Sequence, residues 1–267
     1  MQWSRVKSIL IILLLLVDGF LACMLGVKAF SAYQRKQENR EHLNIVLADC
    51  GMKLADGVSL PDDALMPQLN IDRNRADEAA AAAALLGGTA ERTEGENGSR
   101  FTSEQGEVVW SETGELTAHL QPEGYTCPEL TEVRNRAEQL IEEAGMHVAG
   151  MEWTVNGLSA HVSFKTAGYE VFNRGITITF LDDAMDITGF WTFDTPYATK
   201  SDLYASYNPI DALLQFAGTG LAQTIYGLEP GLILTNAAGN QFQLSPVWRI
   251  RTDTGTYFID PLKKEVV

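Results

Sequence analysis

Twenty residues near the start of the chain, SILIILLLLVDGFLACMLGV (8–27), are apolar almost without a break, with Asp18 at their midpoint. As a helix rising ~1.5 Å per residue they would span ~30 Å, the thickness of a bilayer's hydrocarbon core. That length predicts a retained membrane anchor. A cleaved signal has a shorter apolar core, about 7 to 15 residues, and Ala29-Phe30-Ser31 is only a marginal cleavage site. A lipoprotein signal ending at Ala22-Cys23 would meet a bulky Leu21 where a small residue belongs. Beyond the run the pattern changes. AYQRKQENREH (32–42) is densely charged, then Leu43, Val46, Leu47 and Cys50 recur at helical spacing, which predicts a juxtamembrane helix over 29–50 stopped by Gly51. MKLADGVSLPDDALMP (52–67) is broken by Gly57, Pro61 and Pro67 and predicts an extended connector.

The remaining chain alternates helix signals with strand signals. DRNRADEAAAAAALLGG (72–88) has Asp72 or Asn74 as a cap, Asp77 and Glu78 where the helix dipole favours acids, and a Gly-Gly stop. Short strand-like pieces follow, separated at Gly95, Gly98, Gly106 and Gly114. The pattern returns with CPELTEVRNRAEQLIEEAG (127–145), in which Pro128 is expected to open a helix. SAHVSFK (159–165) and GITITFL (175–181) then alternate with period two, and DITGFWTF (186–193) continues the sheet. A third round runs from NPIDALLQFAG (208–218) into strands at LILTN, QFQLSPVWRIRTD and GTYFIDP. The predicted class is α+β: an N-terminal transmembrane helix followed by repeated helix-plus-antiparallel-sheet modules. The expected divisions are 1–28 (short tail and anchor), 29–67 (juxtamembrane helix and connector), 68–127 (first module) and 128–267 (second, larger module).

Charge narrows the function. The net charge is −15, and residues 1–28 hold Arg5, Lys7 and Lys28 against Asp18, so the rest of the chain stands at −17. Such a surface repels phosphate, which argues against nucleic acid as a partner. Candidate chemistry is sparse. GLSAH (157–161) departs from the nucleophile-elbow pattern at its last position and meets a strand where that motif needs a helix. His42, His119, His147 and His161 are scattered without metal-ligand spacing. Asp72 and Asn74 lack the glycine of a calcium loop, and Asp182, Asp183 and Asp186 read as an acidic hairpin turn. Asn97-Gly98-Ser99 is a sequon by pattern alone, and Cys50 and Cys127 either pair once or remain two thiols. No catalytic set, cofactor or metal is expected.

Asp18 is the residue that needs a reason. An acid at the bilayer centre costs roughly 2.5 to 3.5 kcal/mol, whereas thirteen Leu, Ile, Val and Phe residues return about 0.3 to 0.6 kcal/mol each, so insertion still wins. The carboxyl either contacts another transmembrane helix or sits protonated or snorkelled. The first is helped by Gly19, Ala22, Cys23 and Gly26, whose four-residue spacing lets helix backbones approach. Only the stretch after residue 28 is large enough to be a domain, which predicts a cytoplasmic N-terminus and an extracytoplasmic body.

The opening MQWSRVKSILIILLLLVDGFL resembles that of the YycI family of two-component-system regulatory proteins, with Trp3, Ser4, Arg5, Lys7 and Asp18 at the matching places. The closing SPVWRIRTDTGTYFIDPLKKEVV is similar to that family's last strand pair, and to the ending of PepSY-type domains. The likeness covers about the first and last 25 residues; the middle agrees in layout only. It implies a single-pass, non-enzymatic cell-membrane protein that modulates an essential cell-wall sensor histidine kinase of the WalK/YycG type, together with a YycH-type sister protein. Trp3, Asp18, Gly19, Ala22 and Gly26 would then be the partner-helix contacts, with Trp3 near the inner interface. A membrane-tethered PepSY-like inhibitory domain acting on an extracytoplasmic hydrolase is the rival expectation, and an envelope hydrolase a third.

Overall fold

A computed structural model describes residues 3–95, 98–146, 150–198, 204–236 and 240–266. The chain opens with one helix, α1 (Trp3–Asp49), in which the apolar run and the charged juxtamembrane stretch are continuous. At ~1.5 Å per residue its 47 residues extend ~70 Å. Among the described residues no helix is long and apolar enough to cross a membrane. The side chains of residues 8–12, 14, 15, 22, 25 and 26 of the apolar run lie outside them. Gly51, at φ +75°, ends the helix by taking a left-handed conformation that other residues resist. The face expected to carry Leu43, Val46, Leu47 and Cys50 buries only Leu43 and Leu47; Val46 and Cys50 are exposed, because the body covers a narrower stripe than their spacing offers.

Strands β1 (Lys53–Leu54), β2 (Ala64–Pro67) and β3 (Leu69–Asp72) lie in and just after the expected connector. Then come α2 (Arg75–Leu85) and the meander β4 (Glu91–Gly95), β5 (Gly98–Ser103), β6 (Gly106–Ser111) and β7 (Glu115–Leu120). Asn74 caps α2, its side chain accepting from the Ala76 and Asp77 N–H groups. Helix α3 (Val133–Glu143) starts five residues later than Pro128 suggests, after a turn, and its Glu132 makes no side-chain cap. Strands β8 (Met151–Asn156), β9 (Ser159–Thr166), β10 (Tyr169–Phe180) and β11 (Met185–Phe190) follow. The strand expected to run to Phe193 stops at Phe190, and Trp191 turns into the core instead. The last part holds β12 (Tyr204–Tyr207), α4 (Pro209–Ala217), β13 (Thr224–Asn236), β14 (Gln241–Thr252), β15 (Thr256–Asp260) and β16 (Glu265–Val266).

Eight antiparallel strands run β4-β5-β6-β7-β11-β10-β9-β8, with Ile176 opposite both Gly189 and Val162. The pairing of β10 with β9 is interrupted by an irregularity between Glu170 and Gly175, and there β10 meets β13 in parallel at Val171↔Leu232. From β13 the sheet continues through β14 and β15 to β16, with β1 on β13 and β3 on β14, while β2 and β12 pair separately. Asn173 reinforces the crossing: its amide donates to the Leu234 carbonyl and accepts from the Leu234 N–H, at 2.6 and 2.7 Å.

Two cores result. In the first, α2 and α3 cover one sheet face, burying Trp110, Val162, Phe164, Ile176 and Ile178. In the second, Leu43 and Leu47 of α1 pack with Leu213 and Phe216 of α4 against Ile225, Trp248 and Ile250. The first core draws residues from both sides of position 128, the expected module boundary. Arg73, buried between β3 and α2, joins the cores: it ion-pairs with Glu78 and donates to the Glu112 carbonyl at 2.7 Å.

Candidate functional site

The expected partner-contact residues all lie on α1. Asp18 and Gly19 are exposed, and space is open around Gly19, with nothing within 4 Å of where a Cβ would stand. Among the described residues Asp18 has no hydrogen-bond or ion-pair partner. The side chains of Trp3 and Ala22 lie outside the described residues, as do the surroundings of Gly26. Helical spacing puts Ala22 one turn beyond Asp18, and Gly26 one turn beyond Ala22. Leu13, Leu16, Val17, Phe20, Leu21, Met24 and Val27 on the same helix are exposed apolar residues.

At its other end α1 is held firmly. Leu43 and Leu47 are buried in the second core, and the Arg40 guanidinium donates to the Val58 carbonyl at 2.8 Å, tying the connector to the helix. Asn208, the cap of α4, accepts from the Ile210 N–H at 2.7 Å and fixes where α4 begins beside α1. Between the two helices and the connector lie adjoining clefts of about 530 and 270 Å³. Leu60, Pro61, Pro209 and Ile210 line the larger, with Asp62 and Asp63; Val46, Ile210 and Leu214 line the smaller, with His42 and Asp211. Nothing in the sequence pattern singled these out, because the cleft is made by residues some 170 positions apart.

Other candidate groups do not converge. His119 Nδ1 lies 2.7 Å from an Asp186 carboxylate oxygen, and both are exposed. That separates Asp186 in role from Asp182 and Asp183, and among the described residues no three His, Cys, Asp or Glu side chains could hold a metal. His161 meets the Thr177 hydroxyl at 3.0 Å on the outer sheet face. Ser159 follows a two-residue turn at the start of β9 and contacts the Thr179 hydroxyl at 3.0 Å, in no elbow. Asp72 accepts the Tyr197 hydroxyl proton at 2.9 Å, and that bond pushes the phenol's pKa up. Cys50 and Cys127 are free thiols, so no bridge staples the body. His147 and Asn97 lie outside the described residues.

The sequence matches no protein-family description and no curated protein. Solved structures do resemble it. An uncharacterized protein from Eubacterium rectale ATCC 33656 aligns over 81% of this chain and 90% of its own, at 8% identity and a TM-score of 0.47. The Bacillus megaterium YpeB C-terminal domain aligns over 74% of this chain and 98% of its own, at 12% identity and a TM-score of 0.30. Neither likeness bears on what the chain does.

Proposed function

We propose that the chain is a non-enzymatic, single-pass membrane protein that modulates a sensor histidine kinase of a two-component system. The observation that supports this best is α1. One uninterrupted helix presents an acid without a partner among the described residues in its apolar run, and is clamped at the other end by Leu43 and Leu47. A carboxyl in hydrocarbon is costly unless another helix receives it, so Asp18 is a contact for a neighbouring membrane helix. A helix without a break carries any tilt or rotation at that contact to the body as rigid movement. Such a modulator works by binding the kinase's signalling states unequally. In this reading the N-terminus is cytoplasmic, the body extracytoplasmic, and a YycH-type sister protein a further partner, as the resemblance of the first residues implies.

The test replaces residues 8–27 with an unrelated apolar helix, leaving the body intact, and reads a kinase-dependent reporter beside an Asp18→Leu variant. The expected outcome is loss of regulation in both, with loss of the kinase from crosslinked affinity purifications. A tethered inhibitory domain of the PepSY type would keep its effect with any anchor, and that result would sink the proposal.

A further inference from the structure

The clefts between α1 and α4 lie on the anchor helix itself. Leu60, Pro61, Pro209 and Ile210 give the larger cleft an apolar floor, and Val46 and Leu214 stand 41% and 38% exposed at the smaller. Among the described lining residues the rim carries Asp63 and Asp211, beside His42 and Arg40, whose guanidinium donates to the Val58 carbonyl. An apolar floor between two helices with an acidic rim is complementary to one face of a basic amphipathic helix.

The position says where that helix comes from. Asn39, at the lower lip, is twelve residues past Val27, roughly 18 Å beyond the apolar run. Val46 follows Asp18 by 28 residues, four heptads, so a helix winding left-handedly about α1 would return to the same side at both places, about 42 Å apart. We propose that this groove receives the basic amphipathic helix by which a neighbouring membrane protein continues out of the bilayer, the same partner whose span meets Asp18. This rests on the regulatory reading and adds a second, extramembrane contact to it.

The experiment uses the full-length protein in native membranes. A photo-crosslinking amino acid is placed at Val46, at Leu214 and, as a control outside the groove, at exposed Tyr226, and the crosslinked peptides are sequenced by mass spectrometry. The proposal expects both groove positions, and not Tyr226, to capture a segment rich in Lys and Arg that adjoins a membrane span of the kinase. Leu214→Asp, checked for an unchanged urea midpoint, should reduce recovery of that partner about tenfold. Recovery of the kinase through Asp18 with no such crosslink, or with crosslinks to a second copy or a soluble protein, overturns the groove and leaves the regulatory reading standing. Capture at both positions of a basic helix from a membrane protein that is not a kinase supports the groove and overturns the kinase reading.

Discussion

Arg73 and Arg174 are both more than nine-tenths withdrawn from solvent, yet only Arg73 faces a carboxylate, that of Glu78 at 2.6 Å. Arg174 has the faces of Phe164 and Trp191 at 4.7 and 5.7 Å, the Thr192 carbonyl as acceptor, and an Nε without a partner; burial pushes its pKa down to about 10. The two should therefore respond differently to loss of charge. Arg73→Met strands the Glu78 carboxylate inside the protein and is expected to cost about 3 to 5 kcal/mol in urea unfolding, the usual result of breaking a buried pair. Arg174→Met strands no charge and relieves the cost of a desolvated one, which offsets the roughly 2 kcal/mol lost from each buried ring contact, so stability should fall by less than about 2 kcal/mol. A loss beyond about 2 kcal/mol would show that the guanidinium has a counter-charge in solution. Gly189 belongs to the same scale: at φ +147° a Cβ would stand 2.1 Å from the Gly175 carbonyl oxygen, so Gly189→Ala should prevent β10 and β11 from pairing and leave the protein insoluble on expression.

Among the elements, those with local signals were legible in the sequence. Asn74, the alanine run and Gly87-Gly88 bracket α2, and Asn208 with Pro209 opens α4. Removing the α2 cap by Asn74→Ala should lower stability by about 1 kcal/mol, and Asn74→Gly by a few tenths, as read from the thermal midpoint. Strands β9 and β10 announced themselves by alternation, and the observed burial follows it residue by residue through Ala160, Val162 and Phe164. The misjudged boundaries have a common cause. Pro128 suits the first turn of a helix but equally a turn ahead of one, and Trp191 suits a strand but is drawn inward by Phe164, with which its ring packs edge-on at 4.5 Å. Strands β1, β2 and β12 are two to four residues long and exist only because distant segments pair with them, which no local pattern announces. Among the candidate site residues, Asp18 stands out in the sequence because an acid in an apolar run is anomalous anywhere. The cleft beside α4 does not, since it needs residues near 40, 60 and 210 to be brought together. Leu47→Ala tests how α1 is held: a cost of about 2 to 5 kcal/mol is expected, with Met52 and Phe216 becoming more exposed to labelling reagents.

At the scale of the molecule, the strongly acidic body sets its response to pH. Glu229 is held below the usual carboxylate range chiefly by the hydrogen bond from Arg249, and Asp253 by the Thr224 N–H. A carboxylate whose folded pKa lies below its unfolded value of about 4 stabilises the fold above that pH and loses this contribution as pH falls through the folded value. The urea midpoint should thus hold between pH 7 and about 5 and decline below 4, and Glu229→Gln should flatten that decline. Both cores should also melt in one calorimetric transition, since β10 is built into each. That shared strand has a further consequence, for descent. Residues of the first core form an insertion within the chain that builds the second, and stretch 169–193 serves both. Neither half can then be gained, lost or exchanged between genes as a unit, because any recombination point inside the shared stretch leaves one core without a wall. Lineages of this protein should therefore diverge at the hairpin tips and on the surface of α1, changing what the helix touches while the body is inherited whole.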